Sequence, residues 1–387
     1  MTKLEQLIEE LCPNGVEFKK VKDVFKRLKG TPITAGKMKE IENPNGEIKI
    51  FAGGKTVINA NEADIPNANI TRVPAVLVQS RGVIDVVYYE KPFTFKNEMW
   101  AYTTDNKTTV KYLYYVLKNN IRHFRDAASG MGSLPQISLP VTEEFYVPIP
   151  PLPVQSEIVR ILDNFTELTA ELTAELTARK KQYEYYTEQL MNFGDNVKVL
   201  TLGEIGSVKM CKRILKSQTN TEGGIPFYKI GTFGKEPDAF ISEEVFEEYK
   251  ENYSYPKKGD ILISCSGTIG RTVVFDGEPA YFQDSNIVWL EHDGTLVTNK
   301  YLQYCYKKQP WQISTGGTIA RLYNDNILKA RIPVPPIEEQ ERIVGILERF
   351  DVLCNDISAG LPAEIEARQK QYEYYRDKLL TFEKIVD

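Results

Sequence analysis

The sequence is poor in the side chains on which most hydrolases, metalloproteins and secreted proteins depend. Histidine occurs only twice in 387 residues, so histidine-based triads and metal sites have almost no candidates. The five cysteines are odd in number and none stands in a Cys-x-x-Cys pair, which excludes a disulfide framework and a thiolate zinc site. We therefore expect a reducing compartment. These scarce residues are His123, His292, Cys12, Cys211, Cys265, Cys305 and Cys354.

Long apolar runs are also missing. The longest, such as VPAVLV at 73–78, fall far short of the ~20 residues that cross a bilayer. The first residues, MTKLEQLIEELCPNG, carry glutamates where a signal peptide has its apolar core. We expect a cytoplasmic protein without membrane contact. The content of 42% hydrophobic and 26% charged residues is typical of a soluble globular protein, and the length favours two domains of roughly 150 residues each.

What the sequence does contain is an internal duplication. The segment VPIPPLPVQSEIVRILDNF (147–165) aligns with IPVPPIEEQERIVGILERF (332–350) at nine identities in nineteen positions. Further on, ARKKQYEYYTEQLMNF (178–193) aligns with ARQKQYEYYRDKLLTF (367–382) at ten identities in sixteen. A duplicated chain is explained as two copies of one structural unit.

The segments upstream of these blocks are duplicated more weakly. AVLVQSRGVI (75–84) matches DILISCSGTI (260–269) in pattern, and GSLPQI (132–137) matches GTIARL (317–322). Each half therefore consists of a divergent part followed by a similar part.

The divergent parts predict mixed α and β structure. Short β-branched and aromatic runs bounded by Gly, Pro, Asn or Asp are typical of strands and turns. These runs are VPAVLVQSRG, VIDVVYYE, KGDILISCSG, TVVFD and NIVWLE. KYLYYVLKNNIRHF and NKYLQYCYKKQP have helical spacing. We predict an α+β fold with two pseudo-repeated α/β domains.

The similar parts predict long helices. Between Ile158 and Leu190, apolar residues recur at steps of three and four and form one stripe. One helix over 155–193 would be ~58 Å long, so it needs a partner helix. We predict that the two helical segments pair antiparallel, as a coiled coil that separates the domains. Gly360 and Pro362 predict a kink in the second segment, or a break after which Pro362 restarts the helix.

A tandem Thr-Ala-Glu-Leu unit stands inside the first helical segment, in FTELTAELTAELTAR (165–179), and spaces Leu168, Leu172 and Leu176 one unit apart. One interpretation is a solvated amphipathic helix and nothing more. The other is a ruler, because each unit adds ~6 Å to a helix. DNA rises ~3.4 Å per base pair, so one unit would correspond to about one to two base pairs.

The charge distribution bears on nucleic-acid binding. A net charge of -5 argues against a simple electrostatic DNA binder. The helical segments 155–193 and 337–387 carry -3 and -5, which leaves +3 on the divergent domains. The basic side chains form a run in the first domain, opposed there only by Asp23, and a smaller run in the second. They favour phosphate contacts, although an ordinary solvated face is the alternative. The runs are Lys19, Lys20, Lys22, Lys26, Arg27, Lys29, Lys37 and Lys39, and Lys209, Lys212, Arg213 and Lys216.

Candidates for contacts with base edges are polar side chains on loops at strand ends. For each of them, a role in a turn or a cap is the alternative. The candidates are Gln79, Ser80, Arg81, Lys96 and Asn97 in the first domain and Ser264, Ser266, Thr268, Arg271, Gln283 and Asn286 in the second.

No complete catalytic, metal or cofactor site can be assembled from the sequence. Asp238, Glu248 and Lys250 have the outline of a PD-(D/E)xK nuclease, but the intervening AFISEEVFEEY favours an acidic helix over a strand. The GGK at 53–55 lacks the first glycine and the Ser/Thr of a phosphate-binding loop. Asn-Pro-Asn-Gly at 43–46 has only the opening of the Asn-Pro-Pro-aromatic motif of DNA methyltransferases and favours a turn. We predict no enzyme activity and no cofactor for this chain.

Four features together carry a family resemblance. They are LEQLIEELCPNGVEFKKVKDV at the start, the P-x-P-P-x-x-x-Q-x-x-I-V-x-I-L-x-x-F blocks at 148–165 and 333–350, the KQYEYY helix ends, and the tandem Thr-Ala-Glu-Leu unit. Over essentially its whole length, the chain resembles the specificity subunit of type I restriction-modification systems. The tandem unit resembles the type IC branch.

The resemblance implies a domain plan and a function. Two target-recognition domains each read one half of a split, asymmetric DNA site, and the paired helices set the gap. The implied segments are an N-terminal helix (1–15), target-recognition domain 1 (16–146), a central helical spacer (147–196), target-recognition domain 2 (197–331) and a C-terminal helical spacer (332–387).

The resemblance also implies partners. Two methyltransferase subunits dock on the helical segments and bring S-adenosylmethionine, and motor-nuclease subunits bring the chemistry of ATP and Mg²⁺. In this interpretation Tyr183, Tyr186, Tyr372 and Tyr375 serve the helix pair and the partner helices; coiled-coil packing without a partner is the alternative. Two other functions stay open at this point: a catalytic nuclease or methylase component, and a helical scaffold that binds no DNA.

Overall fold

A computed structural model of the protein describes residues 2–54, 56–129, 134–313 and 320–385. The chain divides into two units, which we call unit 1 (Met1–Ala174 with Ala363–Asp387) and unit 2 (Glu175–Pro362). Each unit contains one divergent domain and part of the helical segments. The five segments of the predicted domain plan stay a prediction.

The helices and strands are numbered in chain order. The helices are α1 (Lys3–Leu11), α2 (Val21–Val24), α3 (Ala35–Ile41), α4 (Lys107–Asn119), α5 (Ile121–Asp126), α6 (Leu139–Glu143), α7 (Leu152–Leu190), α8 (Leu202–Ile205), α9 (Glu243–Asn252), α10 (Asn299–Lys307), α11 (Asn324–Leu328), α12 (Ile337–Asn355) and α13 (Leu361–Leu379). The strands of the first domain are β1 (Glu17–Lys20), β2 (Lys26–Leu28), β3 (Ile48–Phe51), β4 (Val57–Ala60), β5 (Ala75–Gln79), β6 (Asp85–Tyr89), β7 (Phe93–Phe95), β8 (Trp100–Thr103) and β9 (Tyr146–Ile149). Those of the second are β10 (Val199–Thr201), β11 (Ser207–Lys209), β12 (Thr219–Asn220), β13 (Ile225–Tyr228), β14 (Phe240–Ile241), β15 (Ile261–Ser264), β16 (Thr272–Val274), β17 (Tyr281–Phe282), β18 (Ile287–Glu291) and β19 (Arg331–Pro333).

The two units repeat the same arrangement of strands. A four-stranded antiparallel sheet has the order β2-β8-β5-β6 in unit 1 and β11-β18-β15-β16 in unit 2. Beside it, β3 pairs parallel with β7, as β13 does with β17. Each unit also has a short antiparallel pair of strands, β1 with β9 in unit 1 and β10 with β19 in unit 2. The second strand of each pair directly precedes a long helix, α7 or α12. This confirms the predicted α+β fold of two pseudo-repeated domains, although most of their sequence has diverged.

Two continuous apolar runs of the sequence become strands that are buried on both faces, β5 and β15. In β5, Val76 and Val78 belong to the core beneath α4, whereas Ala75 and Leu77 face the core around Phe93. Successive side chains of a strand point to opposite faces. Such a strand therefore needs apolar residues at every position. Because its core contacts hold it in place, it also fixes the position of the polar residues that follow its end, Ser80 and Arg81.

The long first helix is confirmed within three residues at each end, since α7 covers 39 residues. The second helical segment is broken, as Gly360 and Pro362 predicted: α12 ends at Asn355 and α13 begins at Leu361. A Cβ on Gly360 would lie 2.3 Å from the carbonyl oxygen of Val352, so this tight turn requires glycine. Pro362 stands in the first turn of α13, where its missing N–H costs no hydrogen bond.

The helical segments pack against each other within both units. In unit 1, the ring of Phe165 on α7 stacks on Tyr375 of α13 at 5.6 Å and also contacts Tyr372 at 6.4 Å. In unit 2, Phe350 of α12 contacts Tyr183 at 5.8 Å and Tyr186 at 5.7 Å. The four predicted spacer tyrosines thus all pack on a phenylalanine of the opposite helix.

The shared Pro-Pro-x-x-x-Gln motif locks the start of each long helix. Gln155 and Gln340 are both buried. The side-chain amide of Gln155 donates to the carbonyl oxygen of Pro150 at 2.8 Å, and that of Gln340 to Pro335 at 2.9 Å. The glutamine is therefore a structural residue at both places.

The two ends of the chain meet in unit 1. The backbone N–H of Val16 donates to the carbonyl oxygen of Glu383 at 2.9 Å, and the N–H of Ile385 donates to Val16 at 3.2 Å. Leu4 of α1 and Leu380 belong to the same core. Unit 1 is thus built from two distant stretches of sequence, whereas unit 2 is one continuous stretch.

All five cysteines are buried free thiols. Among the described residues, no helix combines the length and hydropathy needed to span a membrane.

Candidate nucleic-acid interface

In unit 1, the end of β5 and the turn after β7 meet at one edge of the sheet. Ser80 is fully buried; its hydroxyl donates to the carbonyl oxygen of Glu98, and its own carbonyl accepts the N–H of Ile137 at 2.9 Å. Gln79 is buried as well. These two side chains lie inside the loop structure, which favours a supporting role for them.

The exposed polar side chains at this edge are those of Arg81 and Asn97. The carbonyl of Arg81 accepts the N–H of Gly54 at 3.0 Å, which joins the β5 end to the Gly-Gly turn after β3. Lys96 forms an ion pair with Glu98 at 3.0 Å, within the same turn as Asn97. We call Arg81, Lys96 and Asn97 the unit 1 loop cluster.

In unit 2, the equivalent strand ends are joined by more hydrogen bonds. Ser266 donates its hydroxyl to the side-chain oxygen of Asn286 at 2.9 Å. Gln283 accepts the backbone N–H of Ile230 at 2.9 Å, and the guanidinium of Arg271 donates to the carbonyl of Gly234 at 3.0 Å. These bonds bring together the loops that follow β13, β15 and β17.

Ser264 and Thr268 differ in exposure. The hydroxyl of Ser264 is buried and donates to the carbonyl oxygen of Thr268 at 2.5 Å, so this side chain supports its loop. The side chain of Thr268 is exposed at the tip of the same loop. We call Ser266, Thr268, Arg271, Gln283 and Asn286 the unit 2 loop cluster.

One residue of this site was missed in the sequence. The guanidinium of Arg321 donates to the carbonyl oxygen of Ser285 at 2.7 Å, beside Asn286. Ser285 has a φ of 54°, a backbone conformation that non-glycine residues rarely adopt, and the Arg321 bond helps to hold it. The weak GSLPQI/GTIARL match already contained the signal, because it aligns Arg321 with Gln136. Residues 132–133 and 317–319 of these matching segments lie outside the described residues.

Gln136 and Arg321 occupy matching places in the two units. Gln136 pairs with Arg81 in an antiparallel bridge, next to the Ile137 bond to Ser80. In unit 2, the N–H of Leu322 donates to Cys265 at 2.9 Å in the same way. The same backbone frame therefore presents a glutamine in one unit and an arginine in the other.

The predicted basic run of unit 1 is partly neutralised by residues distant in sequence. Lys20 and Lys22 both pair with Glu144, and Arg27 pairs with Glu143 at 3.2 Å. The ammonium of Lys20, followed by that of Lys22, lowers the pKa of Glu144 to about 2. The local sequence could not show this, because α6 comes more than a hundred residues later. Lys19 pairs with Glu17 at 3.0 Å, and Lys26 and Lys29 are exposed.

The basic residues of unit 2 lie in three different settings. Lys209 pairs with Glu291 at 3.5 Å, and the ammonium of Lys212 lies 4.7 Å from the ring centre of Tyr253. Arg213 pairs with Asp284 at 2.9 Å. Of this predicted basic run, Arg213 thus reaches the unit 2 loop cluster, because Asp284 lies between Gln283 and Asn286.

The nuclease outline does not assemble. Asp238 pairs with Lys229 at 2.8 Å, and Lys250 packs its ammonium 5.1 Å from the ring centre of Phe246. Glu248 lies on α9, so the helical interpretation of this segment is confirmed. The Asn-Pro-Asn-Gly segment is a turn as predicted, closed by the bond from the N–H of Gly46 to the carbonyl of Asn43 at 2.9 Å. Among the described residues, no group of His, Cys, Asp or Glu is arranged to hold a metal ion.

Comparison with known proteins identifies the family of this duplicated, loop-bearing fold. The sequence model of the type I restriction modification DNA specificity domain matches the chain twice, at residues 13–179 and 194–367. The chain belongs to the family of type I restriction-modification specificity subunits. The two matches coincide with the two copies of the sheet, which confirms the resemblance seen in the sequence.

Two relatives support this membership. The chain is 56% identical over 299 residues to a putative type I restriction enzyme specificity subunit of Haemophilus influenzae, which covers 75% of this chain and 77% of the relative. It is 38% identical over 301 residues to the EcoR124I/EcoR124II specificity subunit of Escherichia coli, which covers 72% of both chains.

Solved structures show the same fold. The crystal structure of a type I restriction-modification S subunit from M. genitalium superposes with a TM-score of 0.60 at 18% identity, and covers 95% of this chain and 96% of that one. A second chain, from a study of complex assembly and conformational transition of the type I system, superposes with a TM-score of 0.53 at 17% identity. It covers 96% of this chain and 98% of that one. The specificity-subunit fold thus extends over nearly the whole chain.

Proposed function

We propose that this specificity subunit reads a bipartite, asymmetric sequence in double-stranded DNA, one half with each unit. The observation that carries the proposal is the pair of loop clusters. They stand at equivalent strand ends of the two copies of the sheet, one in each unit, yet the side chains they present differ. Equivalent backbone positions that carry different side chains fit two half-sites of different sequence.

The positions of the side chains suggest a division of roles. Base-edge contacts are assigned to the exposed or half-exposed members of the two loop clusters, with Gln136 and Arg321. Phosphate contacts, which fix register without reading sequence, are assigned to Lys26, Lys29, Lys212 and Arg213. Gln79, Ser80 and Ser264 then support the loops from within.

The gap between the half-sites is proposed to depend on α7. The Thr-Ala-Glu-Leu units lie between Phe165, which packs on α13, and Tyr183, which packs on α12. Leu172 and Leu176 are half-buried along this stretch, and Leu168 is 36% exposed. An added or removed unit would change the length of helix between two anchored contacts.

The proposed partners are two methyltransferase subunits and the motor-nuclease subunits of a type I system. In the last turns of α7 and of α13, an exposed tyrosine stands beside a packed one. Tyr185, beside Tyr186, is 58% exposed, and Tyr374, beside Tyr375, is 63% exposed. Two equivalent aromatic sites fit two copies of one partner. In this proposal the chain itself is not catalytic and works in the cytoplasm. S-adenosylmethionine would be bound by the methyltransferases, and ATP and Mg²⁺ by the motor-nuclease subunits.

The test is a map of DNA methylation. The subunit is produced with its methyltransferase in cells that lack other adenine methylation, and modified adenines are located by sequencing. The expected result is one motif with two unlike halves separated by a fixed gap. A single contiguous motif, or methylation without sequence preference, would contradict the proposal.

A further inference from the structure

In unit 1, one carboxylate joins the recognition domain to the spacer helix. Asp163 of α7 accepts a hydrogen bond from the hydroxyl of Tyr115 at 2.5 Å and forms an ion pair with Lys111 at 2.7 Å. Both donors lie on α4, one helical turn apart. Tyr115 is 2% exposed. Burial, together with the Asp163 carboxylate, raises the pKa of Tyr115, so its hydroxyl stays protonated and donates.

In unit 2, the same connection is made by two carboxylates. Lys300 of α10 pairs with Glu348 of α12 at 2.7 Å, and the hydroxyl of Tyr304 donates to Asp351 at 2.9 Å. Lys307 adds a second ion pair to Asp351 at 3.0 Å. Burial raises the pKa of Asp351, but the hydrogen bonds from Lys307 and Tyr304 lower it by more, so the carboxylate is ionised at neutral pH.

The two connections are equivalent in sequence as well as in place. α4 contains Lys-Tyr-Leu-Tyr-Tyr at 111–115, and α10 contains Lys-Tyr-Leu-Gln-Tyr at 300–304. In the duplicated block, Asp163 aligns with Glu348. Lysine and tyrosine four residues apart face the same side of a helix. We call these groups of residues the unit 1 clamp (Lys111, Tyr115, Asp163) and the unit 2 clamp (Lys300, Tyr304, Lys307, Glu348, Asp351).

Each clamp lies on the path from the loop cluster to the spacer. In unit 1, α4 packs on β5 and β6, and β5 ends at the loop cluster. α4 is then joined to α7 by the clamp. Apolar packing alone tolerates small rotations of one helix on another, whereas hydrogen bonds to a carboxylate are short and directional. The clamp therefore restricts the angle between the recognition domain and its spacer helix.

We propose that the two clamps set how strictly the gap length is enforced, with Tyr115 and Tyr304 as positioning residues. The inference rests on the proposed function, because it concerns the gap between the proposed half-sites. A loosened clamp lets the loop cluster tilt on its spacer. A duplex with one base pair more or less in the gap can then still be engaged at both half-sites.

The experiment uses the complete methyltransferase complex with Tyr115→Phe, Tyr304→Phe and the double variant. These changes remove one hydroxyl and keep the buried ring. Substrates are three duplexes with identical half-sites and a gap of the wild-type length, one base pair shorter or one longer. We expect the ratio of methylation at altered gaps to that at the correct gap to rise at least threefold in each single variant. It should rise further in the double variant.

The matched control is Tyr112→Phe, which removes from the same helix a buried hydroxyl that has no hydrogen-bond partner among the described residues. It should leave the ratio unchanged. Asp163→Asn gives a second disruption of the unit 1 clamp, and the unit 2 clamp offers an independent test if either unit 1 variant folds poorly.

An unchanged ratio in Tyr115→Phe and Tyr304→Phe would overturn the inference. So would an equal fall of methylation at all three gaps, because that is the result of lost stability alone. Failure of the proposed function would be recognised separately, since the wild-type complex would then show no preference for any gap.

Discussion

Arg213 donates from Nε to the carboxylate of Asp284 at 2.9 Å. This ion pair ties the basic segment after β11 to the turn that carries Gln283 and Asn286. A residue predicted to contact phosphates therefore also braces a turn predicted to contact bases.

Replacing Arg213 separates these two roles. Arg213→Ala should weaken DNA binding about threefold to tenfold, because it removes the proposed phosphate contact and an exposed ion pair, each worth about 1 kcal/mol or less. Arg213→Lys keeps the charge and should restore most of the affinity. Fluorescence anisotropy with a matched duplex measures both. If Arg213→Lys binds as weakly as Arg213→Ala, the brace outweighs the charge.

The matching positions Gln136 and Arg321 should affect different half-sites. A good contact with a base edge is worth about 1–3 kcal/mol of discrimination. Arg321→Ala should therefore relax the methylated motif in one half only, and Gln136→Ala in the other half only. Methylation mapping of the two variants provides the comparison. Relaxation of the same half in both variants would show that the clusters do not read separate halves.

Gly360 should be irreplaceable where it stands. A Cβ there would meet backbone oxygen at 2.3 Å, so Gly360→Ala should destabilise the protein by about 1–3 kcal/mol. At Gly345, inside α12, an added Cβ would meet no atom within 4 Å apart from the backbone of its own helix and its chain neighbours. Gly345→Ala should thus stabilise the protein by about 0.5–1 kcal/mol through helix propensity. Thermal denaturation followed by circular dichroism compares the pair. Equal effects would mean that the turn before α13 relaxes.

Removal of one Thr-Ala-Glu-Leu unit tests the ruler. Deleting residues 173–176 shortens α7 by ~6 Å. The variant keeps Phe165 and Tyr183, whose rings contact α13 and α12. We expect the recognised gap to shorten by about one to two base pairs, with both half-sites unchanged. Methylation sequencing decides the matter. A variant that methylates at the original gap would refute the ruler.

Glu157 should make unit 1 sensitive to acid. Arg160, aided by Lys3 of α1, lowers the pKa of this buried carboxylate to about 2, against the effect of burial. A pKa below its unfolded value stabilises the fold above about pH 4.5, and this contribution is lost as the pH falls toward 2.

Glu157→Gln should therefore cost roughly 1–3 kcal/mol at pH 7, and the difference from wild type should shrink on acidification. Urea denaturation at pH 7, 5 and 3 measures it, with the exposed Glu9→Gln as control. A constant difference across this range would contradict the assignment.

Much of the fold could be predicted from the sequence because its signals are local. The stripe from Ile158 to Leu190 predicted α7, and the alternation of apolar runs with turn residues predicted the strands. Gly360 and Pro362 marked the break because glycine and proline act on their own backbone. The duplication needed only the sequence itself.

The candidate site could be predicted only in part, because it depends on contacts between distant segments. The sequence placed Ser80 and Ser264 at strand ends but could not show that their hydroxyls turn inward to backbone carbonyls. It could not show that Glu143 and Glu144 form ion pairs with Arg27, Lys20 and Lys22 of the basic run. Arg321 went unnoticed because its sequence signal is only the weak GSLPQI/GTIARL match, and because its partner, the carbonyl of Ser285, is a backbone group.

The bond between Val16 and Glu383 has a consequence for biosynthesis. Unit 2 consists of one uninterrupted stretch, so all the residues of its core are available once Pro362 has emerged. Unit 1 has to wait for residues 363–387 to emerge before α13 and the Val16–Glu383 contact can complete it. Unit 1, most of which precedes unit 2 in the sequence, is therefore completed last, and a stop codon placed after Pro362 would leave unit 2 whole while removing part of unit 1.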